Sequence, residues 1–266
     1  MSVDIRGFLS PDLARWTMEA RREHRERFNL IDRISDQGQA MLPMFAGFPR
    51  KNQYLVTGAL FMRGLQTLQG AILMAERVMI LEARTLVRSC YETLFYLGAS
   101  VMDPNFSQRI GLDHLARMEG LSRAHAKWSD MEDVADLKTA IDVMKEGHPK
   151  GKELRIVEVA EAADMRMRYD AFYKGLSNDS AHPSLMSLRS AWDMDEASST
   201  VRGLQWGPGP LAPDRIDDTL ELIALVGIDL MDQANILLKS DKVMEAIKPL
   251  SDEYLVLHKA SHPDSN

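Results

Sequence analysis

Arg84, Arg88 and Glu92 stand four residues apart inside LEARTLVRSCYETLFYLGASVM (Leu81 to Met102), a stretch that is otherwise mostly apolar. On an α-helix this spacing puts all three on one face, beside Leu81, Thr85 and Phe95. A charge on an apolar helix must find a counter-charge or face a cavity, because burying it alone is very costly. Two arrangements meet that demand. One is a structural network of Arg88 with Glu92 and a partner elsewhere. The other is a pocket whose guanidinium groups hold a phosphate or carboxylate in two-pronged fashion.

A second chemical stretch is YDAFYKGLSNDSAHPS, Tyr169 to Ser184. Tyr169 and Tyr173 are one helical turn apart. Ser177, Asn178, Asp179 and Ser180 crowd an expected helix end, where small polar side chains cap the backbone. His182 supplies the imidazole of the set, the natural general acid or base among these residue types. The expected ligand-binding residues are therefore Arg84, Arg88, Glu92, Tyr173, Ser177, Asn178, His182 and Ser184. If the site were catalytic, His182 and Arg88 would carry the chemistry. The remaining motifs are weaker. His258 and His262 have metal-pair spacing on a helix, but they stand in a tail ending His262-Pro263, with only Glu253 and Asp264 nearby as further ligands. No metal and no cofactor is expected. Gly207-Pro208-Gly209-Pro210 is no phosphate loop, since its prolines remove amide donors.

The elements that must position these groups read as helices. Of 266 residues, 45% are hydrophobic and 27% charged, an ordinary globular balance. The net charge of −7 argues against overall attraction to nucleic acid and leaves only a local basic patch open. Cys90 is the one cysteine, so an internal disulfide is excluded, and its apolar neighbours suggest a small buried residue. The N-terminus lacks an apolar signal core, and the apolar window Tyr54 to Leu81 carries Arg63, Glu76 and Arg77. A cytoplasmic protein without a membrane span is expected.

In chain order, Ser10-Pro11 signals a helix start, and the run ARREHRERF (Ala20 to Phe28) reads as a solvated charged face. Met41 to Arg50 reads as a loop or short helix. Asn52 to Met74, Val78 to Val101, Phe106 to Trp128 and Asp130 to Glu146 read as helices, and Gly147 to Lys152 as a linker. Two further helices cover Glu153 to Ala163 and Met165 to Leu176, and His182-Pro183-Ser184 opens a short one. Ser190 to Pro210 fits a small hairpin or flap flanked by Trp192 and Trp206. A long helix spans Pro213 to Lys239, and Asp241 to His258 forms one or two helices interrupted at Pro249. The expectation is an all-α, single-domain bundle of eight to ten helices with a small β-hairpin or flap near 190–206. Within it, 1–50 is an N-terminal arm and loop, 51–240 the core with the flap at 190–210, and 241–266 the C-terminal helices and tail. A homodimer is the expected assembly, symmetric dimers being commonest.

The pattern Leu86-x-Arg88-x3-Glu92, followed far downstream by Tyr173-x3-Ser177 and His182-Pro183-Ser184, resembles a bacterial family of uncharacterised all-α proteins, known as a domain of unknown function. The resemblance covers roughly Tyr54 to Lys239 and implies a helical fold without an established activity. A more distant likeness is to HEPN-type helical domains, which include metal-independent RNA endonucleases of toxin and phage-defence systems. Their mark is Arg-x(4–6)-His. His182 lacks that arginine, so Arg84 or Arg88 would have to substitute from another helix, while Arg109-x4-His114 matches the spacing alone. Two functions are thus expected in turn. The first is a non-enzymatic module that binds a small anionic ligand or a partner. The alternative is a metal-independent ribonuclease, for which alone nucleic acid would be a partner.

Overall fold

The computed structural model describes residues 7–46, 52–125, 138–139, 141–143, 152–189, 192–195, 200–204 and 213–262. After a 3-10 turn at Gly7–Leu9, the helical elements that build the fold are α1 (Leu13–Glu23), α2 (Arg25–Ala46), α3 (Asn52–Glu76), α4 (Ile80–Met102), α5 (Phe106–His125), α6 (Ile156–Ala162), α7 (166–181), α8 (Leu185–Arg189), α9 (Pro213–Leu238) and α10 (Asp241–Ser261). Strands β1 (Trp192–Asp195) and β2 (Thr200–Leu204) form an antiparallel hairpin with a register shift between Asp193 and Met194. The all-α bundle with a small hairpin is therefore the observed architecture. Most of the expected segment Asp130 to Glu146, the linker Gly147 to Gly151, and Trp206 lie outside the described residues.

The core is where α2, α3, α4 and α9 meet. Phe28, Ile31 and Ile34 of α2, Phe61, Leu65 and Leu68 of α3, Val87, Tyr91 and Leu94 of α4, and Ile223, Val226 and Leu230 of α9 are buried. Their three- and four-residue spacing gives each helix one apolar stripe, and each buried aliphatic side chain contributes about 2 kcal/mol of transfer free energy. Gly64 lets α9 come close to α3: a Cβ there would lie 2.8 Å from a methyl of Leu230. Helix α3 turns into α4 within three residues. Val78 takes φ 61°, and the Met79 N–H bonds the Met74 carbonyl at 2.9 Å, which is the six-to-one bond of a Schellman turn. Cys90 is buried, and burial pushes its thiol well up, so it is an unreactive core residue.

Three local expectations are corrected. Helix α1 begins at Leu13, because Ser10 uses its hydroxyl and carbonyl to hold a preceding turn. The charged run of Ala20 to Phe28 is more than a solvated face. Arg21 bonds Asp32 and Glu76, each at 2.8 Å, and Arg27 reaches Asp217 at 2.8 Å. Neither proline stops its helix: α2 runs through Pro43 and α10 through Pro249. A proline inside a helix costs about 3 kcal/mol. Val243, Ile247 and Leu250 of α10 are buried in the main core, and their burial offsets that cost.

Candidate functional site

Segment α7 lies across α4 and is anchored by rings. Tyr91 stacks on Phe172 with centroids 5.7 Å apart, and Phe95 meets Tyr173 edge-on at 5.9 Å. Arg168 grips Asp229 of α9 through two bonds of 2.7 and 2.8 Å. The segment is not a regular α-helix. Tyr169–Tyr173 and Ser177–Ala181 are π-helical turns separated by the α-turn Lys174–Leu176. The expected capping by small polar residues is not what these side chains do. Ser177 Oγ donates to the Tyr173 carbonyl at 2.9 Å and Ser180 Oγ to the Leu176 carbonyl at 2.8 Å. Hydroxyl back-bonding of this kind bends and loosens helices, and π-turns gather at functional sites.

The polar face of α4 meets this widened segment. Arg88 Nε donates to Ser177 Oγ at 2.8 Å, and Arg88 Nη2 to Tyr173 OH at 2.6 Å. The Tyr173 hydroxyl donates onward to Glu92 Oε1 at 2.7 Å, and Arg88 lies 3.1 Å from the same carboxylate oxygen. The guanidinium carbon also sits 4.7 Å from the centroid of the Tyr173 ring. Burial, reinforced by the bond to Glu92, pushes the Tyr173 phenol up to about 12. The hydroxyl is therefore a fixed donor at any physiological pH.

One turn earlier, Arg84 lies 2.5 Å from Asp179 Oδ2 and donates to Thr219 Oγ1 at 3.4 Å. Arg215 of α9 takes the other oxygen of Asp179 at 2.9 Å. Arg84 is 16% exposed, and its buried Nε has no hydrogen-bond partner among the described residues. Three guanidinium groups thus share two carboxylates in these contacts.

Of the residues expected to form the site, Arg84, Arg88, Glu92, Tyr173 and Ser177 are held in these contacts. The other three do different things. Asn178 is exposed, and its carbonyl accepts the Ser184 hydroxyl. Ser184 caps α8, with its hydroxyl taking the Ser187 N–H at 3.2 Å while its own N–H bonds Ser187 Oγ at 2.9 Å. His182 is exposed, with extended backbone at φ −121° and ψ 147°. Its imidazole makes none of the bonds of the Arg84 and Arg88 cluster. Asp179, Thr219 and Arg215 join the cluster although none is among the expected ligand-binding residues. Asp179 stood in the right stretch, whereas nothing in the sequence marks Arg215 or Thr219 as facing α4.

A model described as a family of unknown function, DUF5677, matches residues 54–199, more than half of the chain. The chain belongs to that family. The matched span holds α4 and α7, whereas α9 and α10 lie beyond it. No curated protein and no solved structure matches the chain. No helix among the described residues is long and apolar enough to cross a membrane.

Proposed function

We propose that the junction of α4 with α7 recognises a small anionic ligand, bearing a phosphate or carboxylate, in a module without catalysis of its own. The observation that carries this reading is the Arg84 guanidinium. It is mostly buried, its Nε donor has no partner among the described residues, and its counter-ion Asp179 is shared with Arg215. A buried unmet donor costs about 1–3 kcal/mol, and an anion that accepts it recovers that cost. Guanidinium groups offer the paired donors that phosphate and carboxylate require. The π-turns on α7 support the reading, since such turns persist where a function needs them.

A thermal-unfolding screen of the full chain with inorganic phosphate, nucleotides and dicarboxylates tests this. A true ligand at a hundred times its Kd stabilises by about 2.7 kcal/mol, and Arg84→Met removes that gain. If no anion raises the midpoint, or if Arg84→Met responds as the parent does, the reading is wrong. The metal-independent ribonuclease remains the second reading, favoured by one observation: His182 is exposed just past α7, and its ring has no hydrogen-bond partner among the described residues. RNA cleavage by the parent chain that is lost in His182→Ala would establish it in place of the first.

A further inference from the structure

Away from that junction, the long uninterrupted α10 carries His258 and His262 on one face, toward Glu221 of α9. Glu221 Oε2 lies 3.0 Å from His258 Nδ1 and 3.2 Å from His262 Nε2. The three atoms all lie within 4.8 Å of one another. Zinc bonds to nitrogen and oxygen of about 2.0–2.1 Å at tetrahedral angles put neighbouring ligand atoms about 3.3 Å apart. The two observed separations are close to that edge.

The surroundings prepare the carboxylate for a cation. Glu221 is 9% exposed, and Arg27 Nη2 stands 3.0 Å from its other oxygen, Oε1, at ion-pair distance. That contact is off the hydrogen-bond direction, so Oε1 has no aligned donor among the described residues. It nevertheless fixes the carboxylate, leaving Oε2 to face the two rings, as outer groups do around metal ligands. Tyr254 stacks on His258 with centroids 5.8 Å apart and planes at 12°. Arg27 also bonds Asp217, which His24 approaches at 2.8 Å. With neutral imidazoles, Asp217 and Glu221 outweigh Arg27 by one negative charge.

We propose that Glu221, His258 and His262 bind one divalent transition-metal ion of the zinc class. Imidazole nitrogen and carboxylate oxygen suit Zn²⁺, Co²⁺ and Ni²⁺ better than Mg²⁺ or Ca²⁺. Three protein ligands leave a fourth position for water or a substrate atom, the pattern of reactive rather than purely structural zinc. A cleft of about 420 Å³ is lined in part by His24, Arg27, Asp217, Leu257 and Ser261; it shares Arg27 with the surroundings of Glu221, but none of the three ligands lines it. The ion takes the place of any proton shared between Oε2 and the rings, so its binding competes with protons.

Titration of the untagged full chain with Zn²⁺, and with Co²⁺ followed by its visible d–d absorption, tests the site. One saturable equivalent is expected, with affinity falling from pH 7.5 to pH 6. His258→Ala and His262→Ala, both at half-exposed positions, should each lose the Co²⁺ spectrum while keeping the helical circular dichroism of the parent. Arg27→Gln should weaken binding about 10- to 100-fold. Absence of saturable binding in the parent overturns the proposal. So does a Co²⁺ spectrum that survives in the folded double variant His258→Ala/His262→Ala.

Discussion

A guanidinium brings a fixed positive charge to a site, whereas an imidazole offers a nitrogen donor atom. The two polar regions of the molecule differ accordingly. At the α4–α7 junction each guanidinium is built against a carboxylate of the same chain, Arg84 against Asp179 and Arg88 against Glu92. The protein supplies the counter-charges, and among the described residues the cluster is short of an acceptor at one buried donor, Arg84 Nε. At the α9–α10 corner two imidazoles converge on a single carboxylate oxygen. Neutral donor atoms can be gathered there without repulsion, and the positive charge can come from outside. Both regions hold ion pairs of their own chain, but only the second leaves a carboxylate oxygen facing two imidazoles.

Removal of a counter-ion gives the largest expected contrast. Asp179→Ala leaves Arg84 and Arg215 without the carboxylate they share. Breaking a fully buried pair costs about 3–5 kcal/mol, and this partly exposed one should cost about 3 kcal/mol. Urea unfolding measures it, and a loss below that of a surface pair would erase the proposed difference between the regions. Tyr173→Phe comes next, at about 1–2 kcal/mol, because it removes the donor to Glu92 and the acceptor for Arg88 together. The same hydroxyl has a raised folded-state pKa, so its contribution is complete below pH 10 and is lost as the pH rises through about 12.

Substitution of Asp232, on the α9 that links both regions, should stabilise the fold. Burial, with Asp229 nearby, pushes its carboxyl up to about 6. The folded state therefore holds the proton more tightly than the unfolded chain does. The resulting stability is fully present below the unfolded value of 3.8 and is lost as the pH rises through about 6. Asp232→Asn should raise stability at pH 7 by about 1 kcal/mol after solvent screening. At pH 3.5 the variant should match the parent, and an equal gain at both pH values would contradict the assignment. The smallest effect belongs to the second region. Without metal, His258→Ala and His262→Ala should each change stability by less than about 1 kcal/mol, since both rings are half-exposed and Arg27 stays beside the buried Glu221. With saturating Zn²⁺, the parent alone should gain stability.

The helix identities were legible because the apolar stripes repeat at helical spacing. The face of Arg84, Arg88 and Glu92 was legible for the same reason, since four-residue intervals fix a common side once the helix is granted. What sits opposite was less so. The stretch Tyr169 to Ser184 was marked by its polar density, yet its π-turns were invisible, because tertiary packing of Phe172 and Tyr173 on α4 holds a backbone that local propensity does not favour. His258 and His262 were visible as a pair, but Pro249 argued for an interrupted helix and the ending His262-Pro263 placed them in a tail.

The sequence by itself determined which side chains share a helix face, because that depends only on the period of the backbone. Tertiary structure alone decided which faces meet. Glu221 precedes His258 by 37 residues, and Arg84 precedes Thr219 by 135. Such contacts follow from how α4, α9 and α10 bury their apolar stripes in one core, and no local spacing encodes that packing.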